Sequence, residues 1–157
     1  MESGDTPGWD AGKALEYLVL RAFELDGAEV TWPYSVRVDG YELEQIDGVV
    51  YSEGSACIIE CKDSSKNVDV VPIAKLRNQL LRRPTTTIGS VFSSNGFTEA
   101  SRILARFISP QTILLWGGHE IRYSLYNKFI RRSLIKKYRY CVEYALPDYD
   151  ITIEDTL

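Results

Sequence analysis

Histidine and cysteine are scarce in this 157-residue chain, which contains one histidine, His119, and three cysteines, Cys57, Cys61 and Cys141. One histidine leaves little room for a histidine-based metal centre or for histidine acid–base catalysis. The spacing of Cys57 and Cys61 suits neither a disulfide within one strand nor a zinc site. We therefore expect reduced, buried thiols and disfavour both zinc enzymes and disulfide-rich secreted domains.

Long apolar runs are also missing, since no stretch approaches the roughly 20 residues that span a membrane. The N-terminal sequence MESGD lacks the basic and apolar regions of a secretory signal, so we expect a cytoplasmic protein. Hydrophobic residues make up 45% of the chain, enough to bury a core. We expect one domain over residues 1–157, with a core over about 10–125, a basic helical segment over 119–140 and an acidic tail over 147–157.

Positive charge is concentrated in one part of the chain although the net charge is −4. Seven basic residues and no acidic residue lie between Arg122 and Tyr140. Local patches decide contact with a nucleic-acid backbone more than the total charge does. We predict such contacts here and on an earlier helix, with solvated helix faces as the alternative. The predicted contacts are Lys75, Arg82, Arg83, Lys128, Arg131, Arg132, Lys136 and Lys137.

Hydrophobic periodicity and turn residues predict alternating strands and helices. Asp10 is the expected N-cap of a helix over residues 11–25, and Thr98 that of a helix to about Phe107. The other predicted elements are strands over residues 28–32, 34–38, 43–51, 56–62, 88–93 and 112–116, a helix over about 72–83, and one long helical stretch after residue 118. This order implies an α/β fold with a mixed central sheet and helices on both faces.

Two acidic residues and a lysine are predicted to meet at one corner of this sheet. Residues two apart in a strand share a face, so Glu60 and Lys62 project together while Cys61 faces the other way. Asp47 lies on the preceding strand, and a hairpin would bring it close to Glu60. Hard oxygen ligands beside a lysine suit Mg²⁺ acting on a phosphodiester. The alternative for Glu60 and Lys62 is an exposed ion pair at a sheet edge, worth about 0.2–1 kcal/mol.

This arrangement resembles the PD-(D/E)xK nuclease superfamily, most closely its Mrr-like restriction endonuclease branch. The segment VFSSNGFTEA, residues 91–100, is similar to that branch's strand, loop and helix start, and ILLWGG, residues 113–118, to its last core strand and turn. The resemblance covers roughly residues 10–125 and implies a restriction-endonuclease-like fold. It implies Asp47, Glu60 and Lys62 as the catalytic core, Glu16 as the acid of the first helix, and Gln79 as the family's helical glutamine. The tyrosine expected four residues after that glutamine is replaced by Arg83.

The resemblance further implies Mg²⁺, with Mn²⁺ as a substitute, held by Asp47, Glu60 and the backbone carbonyl of Cys61. Glu16 would hold a second ion or a metal-bound water, and Gln79 would orient substrate or water. The metal would polarise the scissile phosphate and lower the pKa of a bound water. Lys62 would orient that water or stabilise charge on the phosphoryl oxygens, and its carboxylate neighbours favour the electrostatic role.

The leading hypothesis is therefore a single nuclease domain, a Mg²⁺-dependent endonuclease that hydrolyses DNA in prokaryotic defence or DNA repair. A Holliday-junction-resolvase-like nuclease, with the same order of catalytic residues, is the alternative enzyme. A catalytically silent nuclease fold that binds DNA or protein is the alternative from another class, and the complete Asp47–Glu60–Lys62 set argues against it. DNA is the expected partner, and RNA is left open as a substrate. A homodimer, or a partner subunit that supplies specificity, is also left open.

Overall fold

The computed structural model describes residues 10–153. Within them the chain forms α1 (Ala11–Leu25), β1 (Glu29–Thr31), β2 (Tyr34–Val38), β3 (Tyr41–Ile46), β4 (Gly48–Ser52), β5 (Ser55–Lys62), α2 (Val70–Leu81), β6 (Ile88–Ser93), α3 (Glu99–Phe107), β7 (Ile113–Trp116), α4 (Gly118–Tyr126) and α5 (Ile130–Tyr144). The parts of the predicted domain that fall on residues 1–9 and 154–157 lie outside the described residues.

Five strands form the central sheet in the order β1-β4-β5-β6-β7. β1, β4 and β5 pair antiparallel, whereas β5, β6 and β7 pair in parallel. β2 and β3 form a separate antiparallel pair with a bulge between Val36 and Arg37. The predicted mixed sheet is confirmed, and its parallel half follows from the helical crossovers between β5, β6 and β7.

Helices cover both faces of the central sheet, as predicted. α1, α4 and α5 pack against the face that includes Cys57, Ile59 and Cys61, and α2 and α3 pack against the face that includes Ile58. Alternate residues of β5 thus enter opposite layers, as the two-residue period of a strand requires. Cys57 and Cys61 are free and buried, and burial raises the pKa of Cys57 to about 12. None of the helices within residues 10–153 combines the length and apolarity needed to cross a bilayer.

The helix starts follow the predicted caps. The side chains of Asp10 and Thr98 each accept a hydrogen bond from a backbone N–H in the first turn of α1 and α3. α2 begins at Val70 because Asp69 caps it in the same way, which leaves Pro72 within the first turn.

The strand predicted over residues 43–51 is broken at Asp47. Residues before the break belong to β3, which pairs with β2, and residues after it belong to β4, which pairs with β1 and β5. The β4–β5 ladder ends at Gly48 opposite Ile59, and the Asp47 carboxylate then accepts the N–H of Cys61 at 2.8 Å. The Asp47 side chain thus takes the place of the next backbone acceptor in the β4–β5 ladder. The backbone before Gly48 therefore does not pair with β5 and belongs to the β2–β3 sheet instead.

The long helical stretch predicted after residue 118 is two helices. α4 ends at Tyr126, and the three residues that follow turn the chain before α5 begins at Ile130. Lys128 adopts a left-handed backbone conformation with φ of 57°, which no α-helix permits. The basic segment over 119–140 therefore spans two helices and the turn between them, and five of its seven basic residues lie in α5.

The C-terminal segment, defined here as residues 147–153, is the described part of the predicted acidic tail, and it packs on the domain. The backbone oxygen of Pro147 accepts a hydrogen bond from the N–H of Leu115 in β7 at 3.0 Å. Asp148 accepts two hydrogen bonds from Arg106 of α3, at 3.0 and 2.8 Å. Ile151 is buried in the cluster that also contains residues of α1, α4 and α5. This segment therefore contacts both helical layers.

Candidate active site

The C-terminal end of β5 and the β3–β4 break bring the three core candidates together. Glu60 is only 2% exposed, and its Oε1 lies 3.4 Å from Nζ of Lys62, which is partly exposed. Asp47 is anchored beside them by its hydrogen bond to the backbone of Cys61. The geometry agrees with the predicted corner, and the catalytic roles of these residues stay predictions.

Helix α1 brings Glu16 to the same corner. The close approach of α1 depends on Gly48, where a Cβ would lie 2.6 Å from Cδ2 of Leu20. Burial raises the pKa of Glu16 to about 7, and the charge of Asp47 and a hydrogen bond with its side chain add to this rise. The charges of Glu60 and Asp10 also raise the pKa of Glu16, so several carboxylates lie close together at this corner.

Helix α2 contributes a second lysine to the corner. Nζ of Lys75 lies 3.3 and 3.5 Å from the two Oε atoms of Glu60. Burial raises the pKa of Glu60 and the charge of Asp47 raises it further, while Lys75 and Lys62 partly offset the rise. The sequence predicted Lys75 only as a nucleic-acid contact. Its spacing of four residues from Gln79, which places both on one face of a helix, is the signal that would have located it here.

Gln79 lies on the face of α2 that is turned toward β3. It is 3% exposed, its Nε2 donates to the backbone oxygen of Gln45 at 3.3 Å, and its Oε1 has no hydrogen-bond partner within the described part of the chain. A groove of about 490 Å³ between β3 and α2 is lined by Gln79 and Lys75, among others. At the position of the family's tyrosine, Arg83 donates to both carboxylate oxygens of Glu44 at 2.9 Å and ties α2 to β3.

The predicted nucleic-acid contacts lie in several places. Arg82 and Arg83 form ion pairs with Glu44, at 3.5 and 2.9 Å. Lys128 and Arg132 are exposed, and Lys136 is partly buried against the C-terminal segment. Contact of these side chains with nucleic acid stays a prediction.

Lys137 is excluded from that set, so its predicted contact with nucleic acid is wrong. It is 0% exposed, with Nζ 2.5 Å from Oε1 of Glu120 and 2.5 Å from the backbone oxygen of Tyr149. Nζ also lies 5.2 Å from the ring centroid of Trp116. An ammonium enclosed in this way cannot reach a phosphate.

Arg131 is also committed to the fold. Its guanidinium donates to Ser52, to Glu53 and to the backbone oxygen of Asp26, each at 3.0 Å. Asp26 directly follows α1, and Ser52 and Glu53 lie at the β4–β5 turn. β5 begins after this turn at Ser55, five residues or about 17 Å before Glu60. Because its guanidinium is occupied by these hydrogen bonds, Arg131 is not available to contact a phosphate near the corner.

The donor set of the corner fits a divalent cation even though it is not a closed cage. Among residues 10–153, no group of three or more His, Cys, Asp or Glu side chains is arranged to hold a metal ion. Mg²⁺, however, is usually held by one or two carboxylates together with waters and substrate phosphates. Asp47 and Glu60 offer such hard oxygens, and a cation would relieve the like-charge crowding that contributes to the raised pKa values of Glu16 and Glu60.

A five-stranded mixed sheet with helices on both faces and acidic side chains at one corner defines the class as restriction-endonuclease-like. The Mrr_cat model, described as restriction endonuclease, matches residues 11–125, and the chain belongs to that family. The match ends within α4, so α5 and the C-terminal segment lie beyond it.

Two solved structures are similar to this chain. A protein of unknown function, AF1548, has a TM-score of 0.55 at 20% identity, over 66% of this chain and 58% of that one. The MspJI restriction endonuclease in complex with a 27-mer oligonucleotide has a TM-score of 0.47 at 15% identity, over 78% of this chain and 30% of that one. The likeness to AF1548 concerns the fold alone. No curated protein matches the sequence.

Proposed function

We propose that this protein is a Mg²⁺-dependent endonuclease that hydrolyses DNA phosphodiester bonds, in restriction-like defence or DNA repair. The observation that carries the proposal is the meeting of Asp47, Glu60 and Lys62 at one corner of the sheet, in a chain of the restriction endonuclease family. The approach of Glu16 to Asp47 supports it further, because titratable groups with shifted pKa values that gather in one place are typical of functional sites.

Asp47, Glu60 and the backbone carbonyl of Cys61 would hold the cation, Mg²⁺ or Mn²⁺, and Glu16 would hold a second ion or a bound water. The bound cation supplies a Lewis acid at the scissile phosphate and makes water a stronger nucleophile. The hydrogen bond from Cys61 to Asp47 fixes the direction of one carboxylate, and burial fixes that of Glu60.

The lysines supply positive charge where negative charge grows on the phosphoryl oxygens. Lys62 and Lys75 approach Glu60 from β5 and α2, at 3.4 and 3.3 Å, and both side chains are partly open to solvent. Charged donors that are already in place stabilise a transition state without reorganisation. Gln79 would orient water or substrate through the unpaired Oε1 at the groove beside Lys75.

Cleavage of a supercoiled plasmid tests the proposal. With Mg²⁺ or Mn²⁺ the protein is expected to nick or linearise the plasmid, and Glu60→Gln or Lys62→Ala is expected to lower the rate by about 100-fold or more. Lys66→Ala is the matched control, because Lys66 is exposed in the loop after β5. It is expected to cut at the wild-type rate.

Equal cutting by the wild type and both active-site variants would overturn the assignment of the corner. A wild-type protein that binds DNA but cuts no substrate would instead indicate the silent fold. A panel of linear, circular, single-stranded and branched DNA separates a restriction-like enzyme from a resolvase, which would favour branched DNA.

A further inference from the structure

A groove of about 1050 Å³ lies on the outer side of α5, beside the C-terminal segment. Its lining residues include Arg132, Lys136, Arg139, Tyr140, Tyr144 and Tyr149, and this surface is called the α5 groove below. None of the residues of the catalytic corner lines it, and all its lining residues except Tyr123 follow residue 125, where the family match ends.

The charge of the α5 groove is positive in a chain whose net charge is −4. Arg132, Lys136 and Arg139 are four and three residues apart, so they follow one face of the helix. Within residues 10–153, the only acidic side chain that lines the groove is Glu143, which pairs with Arg139 at 3.3 Å. The side chain of Arg139 is nevertheless 71% exposed. Arg132 and Arg139 are exposed, whereas Lys136 is partly buried and donates to the backbone oxygens of Ile151 and Ile153. Two exposed cations on one helix face, with the charge of Lys136 between them, favour a polyanion.

A row of tyrosine rings runs beside these cations. The Tyr140 ring lies parallel to that of Tyr149 with centroids 3.5 Å apart, and the Tyr144 ring follows with its centroid 4.6 Å from that of Tyr140. Tyr144 is 60% exposed, so the row ends in an aromatic ring that is open to solvent. Packing explains the inner rings but not the exposed one, which can accept a further ring by stacking.

We propose that the α5 groove binds a single strand of nucleic acid, with a base stacked on Tyr144 and phosphates at Arg132 and Arg139. Cations that track a backbone beside aromatic rings are the combination that single strands require, and bases in a duplex are not free to stack on a side chain. The site is separate from the catalytic corner and acts without a metal ion.

Fluorescence anisotropy with a labelled oligothymidylate tests this site in EDTA, where cleavage does not interfere. Tyr144→Ala is expected to raise Kd by about 5- to 100-fold with little change in salt dependence, because a base loses its stacking partner. Arg139→Gln is expected to raise Kd and to reduce the slope of log K against log salt by about 0.7, because one phosphate contact is lost. A uridine oligomer in a parallel titration shows whether DNA or RNA is preferred. Weaker binding of either oligomer by Tyr144→Ala supports the site.

The matched controls are Tyr126→Ala and Arg77→Gln, which remove an exposed ring on α4 and an exposed cation on α2, both outside the groove. Both are expected to bind the strand as the wild type does. Wild-type binding by Tyr144→Ala and Arg139→Gln, or equal losses in the controls, would overturn the inference. So would a wild-type protein that binds no single strand, which would assign the groove to a protein partner. None of these results would alter the plasmid test of the catalytic corner.

Discussion

Glu120 and Lys137 show, at the scale of single residues, how a charged pair in the basic segment serves the fold. Glu120 accepts hydrogen bonds from Lys137 at 2.5 Å and from the backbone N–H groups of Gly117 and Ile151 at 2.7 and 3.2 Å. Burial lowers the pKa of Lys137, and the charge of Glu120 opposes this effect. The sequence could not reveal this pair, because Lys137 stands among exposed cations and its partner is 17 residues away.

Lys137→Met is expected to reduce the free energy of unfolding by about 3–5 kcal/mol, because it leaves the Glu120 carboxylate buried without its cation. Urea denaturation measures the loss, and Lys66→Met, at an exposed position, should stay within about 0.5 kcal/mol of the wild type. The double variant Glu120→Gln/Lys137→Met should lose less than the sum of the two single changes. Strict additivity would show that the two side chains do not interact.

The corner that holds Asp47, Glu60 and Lys62 was predictable at this scale to the extent that it depends on strand periodicity. Glu60 and Lys62 share a face because they are two residues apart, and the spacing alone shows this. The contact of Lys75 with Glu60 depends on how α2 crosses β5, and no local pattern encodes that crossing.

At the scale of elements, α1 packs closely against β4 where Leu20 of α1 lies over Gly48 of β4. A Cβ at Gly48 would lie 2.6 Å from Cδ2 and 2.7 Å from Cδ1 of Leu20, a side chain that is fully buried. The side chain therefore has little room to move away, and this contact sets the distance between the helix that carries Glu16 and the strand that follows Asp47.

Gly48→Ala is expected to destabilise the protein by about 1–3 kcal/mol, because it overpacks the contact with Leu20. It should also slow DNA cleavage, since α1 would move Glu16 away from Asp47. Thermal unfolding and the plasmid assay measure the two effects. Gly12→Ala is the control within α1, where a Cβ would meet only Asp10 Oδ1 at 3.4 Å, and it should not destabilise the protein. A Gly48→Ala variant as stable as the wild type would contradict the close approach.

Element boundaries were predictable where a side chain marks them. Asp10 and Thr98 begin helices where the sequence indicated, because their oxygens bond to free N–H groups in the first turn. The break at Asp47 was not predictable, because the chain changes sheets there through a hydrogen bond to distant Cys61. The turn at Lys128 was missed for a related reason, since neither glycine nor proline marks it.

At the scale of the whole molecule, the C-terminal segment joins the two helical layers. Asp148 bonds to Arg106 of α3 on one side of the sheet, and Ile151 packs with α4 and α5 on the other. Burial alone would raise the pKa of Asp148, but the hydrogen bond and the charge of Arg106 outweigh it and hold the pKa below its ordinary value. The fold class was predictable from the order of elements, whereas the acidic composition of this segment did not reveal which helices it contacts.

The contribution of Asp148 to stability is expected to depend on pH. A carboxylate with a lowered pKa in the folded state stabilises the protein above its unfolded pKa, about 3.9, and this contribution disappears as pH falls through the folded value. Asp148→Asn should therefore lower the free energy of unfolding at pH 7, and its difference from the wild type should shrink below about pH 4. Glu29→Gln, at an exposed position of β1, should show no such difference. A difference that stays constant down to the acid transition would contradict the ion pair.

The hydrogen bond between Leu115 and Pro147 has a practical consequence for shortened versions of the protein. β7 is the last strand of its sheet, and Pro147 occupies part of its outer side. A fragment that stops at residue 125, where the family match ends, would expose that side as a template for another copy to add a strand. Such fragments are expected to self-associate and precipitate, whereas those that continue to residue 153 keep the outer strand shielded.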